Sequence, residues 1–206
     1  MSLIRIIIGS TRPQRFGPQV ANWLNEIARE RAGVHQGKDQ VTFEILDLAE
    51  VNLPLFDEPI PPGMNQYQND HTKAWSKTVA ETDGFLIVAP EYNNSINAAL
   101  KNALDYVFYE WHYKPVAFAS YGSAAGGSRA VAHLRDVAGE MRMFDLREVV
   151  VISNYWNQLD GEGTFTPTED QTTAATAMID QLIFWTNEMK DSRERLAAGT
   201  GSQAVA

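Results

Sequence analysis

Apolar residues in this chain fall into short runs separated by stretches with helical spacing. Residues 3–8 are a β-branched run that stops at Gly9, as a buried parallel strand does. Val20, Trp23, Leu24 and Ile27 give residues 17–31 a helical stripe. A second strand is predicted over 41–46 and a helix over 70–81, with Trp75 and Val79 on one face. Strands follow over 85–89, 116–120 and 147–152, with helices over 95–108 and 129–143 between them. A long last helix spans 168–196 and buries Met178, Leu182 and Trp185. Four prolines in residues 54–63 exclude regular structure and predict a surface loop.

Strand and helix alternate throughout, without repeats or an internal linker. That alternation implies one parallel sheet covered on both faces. Right-handed crossovers leave few topologies. The expectation is an α/β, flavodoxin-like three-layer sandwich with a five-stranded parallel sheet of order 2-1-3-4-5. A Rossmann sheet wants a sixth strand. Residues 1–196 are read as a single domain and 197–206, small and polar, as a disordered tail. Strands 1 and 3 flank the switch point, so the loops after them share one crevice, joined by the loop after strand 4.

Composition narrows the chemistry. Of 206 residues, 17 are Lys or Arg and 26 are Asp or Glu, a net charge of −9. That argues against nucleic acid and against anionic membranes as partners. An anionic ligand needs a local positive site, and Arg12 and Arg15 are the candidates. The chain has no cysteine, which excludes thiolate catalysis, disulfides and cysteine-based metal or iron–sulfur sites. Redox chemistry would have to run on a bound cofactor. The first residues carry no signal pattern, and no run approaches the roughly 18 apolar residues of a membrane span. A soluble cytoplasmic protein is expected.

Three loops hold candidate chemistry. The first, residues 9–17, puts Ser10, Thr11, Arg12, Arg15 and Phe16 between strand 1 and helix 1. Hydroxyls, guanidinium groups and free amides at a helix N-terminus suit a phosphate. The loop matches neither G-x-G-x-x-G nor Walker A, so it reads as a monophosphate cradle. The second loop holds Pro90, Glu91, Tyr92, Asn93, Asn94 and Ser95. Its ring, amides and backbone donors suit a planar heteroaromatic ligand with polar edges. Glu91 has no second carboxylate or histidine near it in the loop, so its backbone amide is expected to serve as a donor to a ring carbonyl. The third runs through Tyr121, Gly122 and Ser123 to Arg129, where glycines let backbone approach a ligand closely. Each loop has a plainer alternative when read alone. Ser10 and Thr11 could simply cap a helix, Ser95 or Asn97 could cap the third helix, and Ser128 could cap the next.

Taken together these residues resemble a known family. Pro90, Glu91, Tyr92, Asn93, Asn94 and Ser95, followed by Leu100, Lys101, Asn102, Ala103, Leu104 and Asp105, look like P-E-Y-N-x-S…L-K-N-A-[IL]-D. That is the signature of NAD(P)H-dependent FMN reductases, relatives of quinone, azo-dye and chromate reductases. Gly9, Ser10, Thr11 and Arg12 agree with the family's G-S-x-R phosphate loop. The sequence departs from common members at Pro13, Gln14 and Arg15, and at Asn97 and Ala98, where Pro-Gly is frequent. The resemblance implies non-covalent FMN, with Ser10, Arg12, Arg15 and Phe16 on the phosphate. It puts Pro90, Glu91, Tyr92, Asn93 and Ser95 along the ring edge and ribityl chain, and Tyr121, Gly122 and Ser123 closing the ring site. It implies hydride transfer from NADPH or NADH through the flavin to a small-molecule acceptor such as a quinone, flavin, azo compound or metal oxyanion, with no catalytic side chain. It implies a homodimer or homotetramer, with part of the cluster Tyr106, Phe108, Tyr109, Trp111, His112 and Tyr113 at the interface.

Other chemistries weigh less. His35, His71, His112 and His133 are scattered and lack metal-ligand spacing, so no metal site is expected. No nucleophile elbow G-x-S-x-G occurs. The rival reading is a flavodoxin-like single-electron carrier without its own substrate, which suits the acidic charge. Flavodoxins, however, carry a T-x-[ST]-x-x-T phosphate loop that residues 9–17 do not match.

Overall fold

The apolar runs form one parallel sheet. In the computed structural model, which describes residues 1–34 and 40–199, the strands are β1 (Ser2–Ile8), β2 (Val41–Asp47), β3 (Gly84–Pro90), β4 (Pro115–Gly122) and β5 (Phe144–Ser153). Their order is β2-β1-β3-β4-β5, as expected. The helices are α1 (Gly17–Ala32), α2 (Leu48–Val51), α3 (Asp70–Ala80), α4 (Ala98–Asp105), α5 (Ser128–Glu140) and α6 (Glu169–Ala197). His35 and residues 200–206 of the expected tail lie outside the described residues.

Side-chain alternation sorts residues to the two faces. Ile4, Ile6 and Ile8 pack with Val20 and Leu24 of α1 and with Met178 and Leu182 of α6. Ile7, Phe85, Ile87 and Phe118 pack on the other face with Trp75, Leu100 and Leu134. β3 and β4, central in the sheet, are buried at every position. Ile8 pairs with Val88, Pro90 with Tyr121, and Gly122 with Ser153. The carboxyl ends of β1, β3, β4 and β5 therefore open on one edge, and the chemistry-bearing loops follow from there.

Several elements differ from the sequence reading; β5 begins at Phe144 rather than 147, and α5 ends at Glu140 rather than 143. The third expected helix begins at Ala98, not Ser95. Tyr92 and Ser95 exchange backbone hydrogen bonds at 3.0 Å each, and that closes a turn where the helix was expected to start. Asn97, at the cap position, makes no side-chain cap; its Nδ2 donates instead to the Gly9 carbonyl at 2.7 Å. The short helix α2 was not foreseen; Asp47 caps it by accepting from the Ala49 amide at 2.9 Å. In the aromatic cluster after α4, Tyr106, Trp111 and His112 are buried, Phe108 and Tyr113 are half-buried and Tyr109 is exposed.

The proline-rich loop is irregular, as expected, apart from a 3-10 turn over Pro62–Met64. Polar ties hold it in place. Asn102 Nδ2 donates to the Pro54 carbonyl at 2.7 Å, and the Phe56 amide donates to Asn102 Oδ1 at 2.9 Å. Glu58 accepts from the amides of Gln68 and Asn69, each at 2.9 Å.

Candidate functional site

A cleft of about 200 Å³ opens at the carboxyl edge of the sheet. Nine of the sequence-predicted site residues line it: Arg12, Arg15, Phe16, Pro90, Glu91, Tyr92, Tyr121, Gly122 and Ser123. Tyr155 and Trp156 complete the wall. The topological expectation of one shared crevice is met, with the loop after β5 as a fourth contributor.

The first loop turns sharply after β1. Ser10 is fully buried, and its Oγ shares a hydrogen bond of 2.9 Å with Tyr92 Oη. That bond ties the first loop to the second. Arg12 is exposed, and its guanidinium has no partner among the described residues. Arg15 forms an ion pair with Asp47, while its Nε is buried without a hydrogen-bond partner. Phe16 is buried under Tyr155, with ring centroids 4.5 Å apart in a near-parallel stack, and meets the edge of Tyr121 at 5.2 Å. These rings form an apolar floor beneath the polar loop.

The second loop corrects two expectations. The Glu91 amide donates to the Tyr121 carbonyl at 3.1 Å and so continues the β3–β4 ladder. It is not free to meet a ligand. The Glu91 side chain is only 8% exposed; its Oε1 lies 2.7 Å from Arg129 Nη1, and its Oε2 accepts from the Arg129 amide at 3.1 Å. Asn93 and Ser95 do not line the cleft. Asn93 is exposed at the tip of the turn, and Ser95 Oγ bonds His133 Nδ1 of α5 at 2.8 Å. Ser128 is not a side-chain cap either: it is the first residue of α5, and Glu91 supplies the carboxylate at that N-terminus.

The third loop depends on glycine. Gly126 and Gly127 have φ of +59° and +90°. A Cβ on Gly126 would lie 2.3 Å from Val151 Cγ1, and one on Gly127 would lie 2.6 Å from Ser120 Cβ. The Tyr121 hydroxyl lies over Gly17 and close to Ser10, yet it makes no hydrogen bond of ordinary geometry. Burial, and then the neighbouring Tyr92 phenol, push the Tyr121 phenol well above its usual range, and Ser10 and the Gly17 amide only moderate that. It is a neutral donor at any ordinary pH.

Sequence reasoning missed Tyr155 and Trp156 as wall residues. The signal was present, since an aromatic pair lies two residues beyond the strand-5 run. The guanidinium groups of Arg15 and Arg129 are both paired with carboxylates, Asp47 and Glu91.

Comparison with known proteins identifies the family. A model of the NADPH-dependent FMN reductase family matches residues 2–157. The chain belongs to that family. Family membership makes it an oxidoreductase that works with FMN and NAD(P)H. The chain is similar to an NAD(P)H-dependent FMN reductase of a Nectria species, 40% identical over 140 residues, which are 66% of this chain and 67% of that one. It is similar to a 2-hydroxy-1,4-benzoquinone reductase of a Burkholderia species, 26% identical over 91% of this chain and 97% of that one. Its fold resembles the solved structure of FerB, a flavoenzyme NAD(P)H:(acceptor) oxidoreductase from Paracoccus denitrificans. The TM-score is 0.68 at 19% identity, covering 92% of this chain and 99% of that one. Among the described residues no helix is long and apolar enough to cross a membrane.

Proposed function

We propose that the cleft holds FMN and that the enzyme reduces quinone-type acceptors with NAD(P)H. One observation carries the cofactor site. Two buried polar atoms without partners, Arg15 Nε and Tyr121 Oη, belong to the wall that also holds the unpaired Arg12 guanidinium. Buried unpaired donors are costly, so a wall that keeps them fits a ligand that satisfies them. The donor set suits FMN. Ser10, Arg12, Arg15 and Phe16 would take the phosphate end; Pro90, Tyr92, Tyr121, Gly122 and Ser123 would take the ring, with Glu91 contributing wall surface but no free polar group. Asn93 and Ser95 would act only through the shape of the turn.

When bound, FMN supplies the two-electron chemistry, accepting hydride from the nicotinamide and yielding it to the acceptor. The protein's part is position and electrostatics. Arg12 places positive charge in a chain of net charge −9. Phe16, Tyr121 and Tyr155 keep water from the floor. Gly122 leaves room for close backbone approach. No described side chain in the cleft is poised as a general acid or base, since both Glu91 oxygens are engaged.

The aromatic lip favours a flat acceptor. Trp156 is 51% exposed and Tyr92 39% exposed at the rim of the cleft. Rings so placed stack on planar carbonyl compounds. The quinone reductase among its relatives supports the same acceptor class. We propose also that the chain self-associates. Leu55, Met64 and Tyr109 are exposed, and an apolar groove of about 330 Å³ lies between α4 and α5.

The test is spectroscopic. Protein mixed with FMN and desalted is expected to retain the flavin band, which bleaches when NADPH or NADH is added without oxygen and recovers when a quinone is added. Loss of all flavin on desalting at micromolar FMN overturns the site; bleaching without recovery by quinone overturns the acceptor.

A further inference from the structure

The Glu91 side chain is spent away from the cleft, although its residue lines the wall. Its carboxylate spans from the loop after β3 to the first turn of α5, directly after the glycine loop of residues 122–127. Both oxygens are engaged, one by the Arg129 guanidinium at 2.7 Å and one by the Arg129 amide at 3.1 Å. Each bond is charge-assisted, and the positive end of α5 adds to both.

We propose that Glu91 is a positioning residue: its carboxylate braces the glycine loop against the β3 loop and so sets the width of the ring end of the cleft. The glycine loop is fixed on its other sides by close packing. Gly126 abuts Val151 and Ser153, and Gly127 abuts Ser120 and the Tyr121 amide. The Ser120 hydroxyl donates to the Gly126 carbonyl at 2.9 Å, and the Ser123 carbonyl accepts from the Asn154 amide at 3.0 Å. On the β3 side the fit is tight as well. A Cβ on Gly122 would lie 3.5 Å from Glu91 Cβ and 3.2 Å from the Gly127 amide. The loop therefore has packing toward β4 and β5 and an ion pair toward β3. Without the carboxylate, the α5 N-terminus loses its anion and the loop loses its tie to residue 91. Ser95 and His133 join the same two elements at one further point, but farther along α5 and on the surface. They limit how far α5 can move without fixing residues 122–127.

The ligand arm of the test rests on the FMN reading; the exchange arm does not. Hydrogen exchange is measured on the wild-type protein and on Glu91→Gln and Arg129→Met, with and without FMN. Affinities for FMN and for riboflavin, which lacks the phosphate, are measured in parallel. In the flavin-free protein, Glu91→Gln is expected to speed exchange at amides 122–129 by about tenfold, as for loss of a charge-assisted hydrogen bond. It is expected to weaken FMN and riboflavin binding by the same factor, about tenfold, leaving their ratio unchanged, because the brace acts at the ring end. Arg129→Met keeps the amide bond to Glu91 and is expected to show a smaller change in the same direction. Unchanged exchange at 122–129 in Glu91→Gln overturns the brace. So does a loss confined to FMN, which would put Glu91's influence at the phosphate. If the wild-type protein binds neither flavin, the cofactor site fails while the exchange result still decides the brace.

Discussion

Asn93 and Asn94 hold φ of 51° and 65°, the left-handed region that most residues avoid. Two such residues in a two-residue loop make the hairpin turn that Asn-Gly forms best. Replacing Asn94 by Gly removes the side-chain penalty at the second position. Asn94→Gly is expected to leave stability level or raise it by about 0.5 kcal/mol, and Asn94→Val to cost about 1–2 kcal/mol, read from urea midpoints. A clear loss in Asn94→Gly would mean that the amide side chain itself holds the turn. The same geometry explains what spacing could not deliver. The signature from Pro90 to Ser95 located the loop, but side-chain direction in a left-handed turn does not follow helix or strand periodicity. So Tyr92 reaches the cleft while Asn93 and Ser95 do not. The first loop was legible for the opposite reason, since cations in an acidic chain stand out. Of its two arginines, Arg12 has no partner among the described residues and Arg15 is partly neutralised by Asp47. Arg12→Met is expected to weaken FMN about 10- to 100-fold and riboflavin hardly at all, as for loss of a hydrogen bond to a charged group. Equal weakening of both would place Arg12 away from the phosphate.

Each element has its ends set by polar groups, and these differ in how visible they are from sequence. Thr168 and Gln171 form a reciprocal capping box at α6, a local pattern three residues apart. Glu58 serves α3 from across a loop, and no spacing rule connects it with Gln68 and Asn69. Burial by itself would raise the Glu58 carboxyl. The Gln68 amide, the Thr72 hydroxyl and the Asn69 amide together outweigh that, and the group ends below its usual range. A depressed carboxyl contributes stability that is complete above its unfolded value near 4.5 and is lost as pH falls through the folded value. Glu58→Ala is expected to cost about 1–3 kcal/mol at neutral pH, by leaving two loop amides unpaired. Its acid unfolding limb should be shallower than that of the wild type. Urea titrations between pH 3 and 7 check both, and parallel curves for the two proteins would remove Glu58 as the anchor of the proline-rich loop. Asn102 and Tyr106, which also hold this loop, lie on or beside α4 and face Pro54. Loop and cleft are therefore built on the same helix, whose first residue lies just beyond the 92–95 turn.

The molecule as a whole divides stability from function along the strand axis. The order 2-1-3-4-5 could be argued from sequence because alternating strands and right-handed crossovers leave so few sheets. Sequence could not show that Tyr155, past the end of an edge strand, stacks back on Phe16 with Trp156 beside it at the cleft, because that depends on the twist and register of β5. The amino end, opposite the cleft, holds a half-buried charge network. Asp83 binds Lys190 and Arg193 of α6, each at 2.8 Å, and accepts from the Leu3 amide at 3.1 Å. Lys114 lies beside it, nearly buried, donating to the carbonyls of Val79 and Ala80 at 2.7 and 3.0 Å with the Phe85 ring beneath. Burial, and then the facing Arg193, lower its pKa to about 7; Asp83 and Glu110 oppose the shift and Arg5 adds to it. The sign follows from proton binding. Between pH 7 and 10.5 the unfolded chain holds more protons at this site than the folded one, so stability from this group rises with pH across that window. Below pH 7 both states are charged and the penalty is constant. Lys114→Met removes the titration and the ammonium's bonds to two carbonyls, of which that of Val79 keeps the Thr82 amide at 3.2 Å. Its stability is expected to be flatter than the wild type's from pH 7 to 9.5, measured by urea unfolding in matched buffers. Its FMN affinity should be unchanged, because the substitution lies at the other end of the sheet. Equal slopes would mean that Lys114 stays charged in the folded protein across this range, held by the Val79 and Ala80 carbonyls and by Asp83 and Glu110. The amino-end network would then keep the Lys114 charge across that whole range.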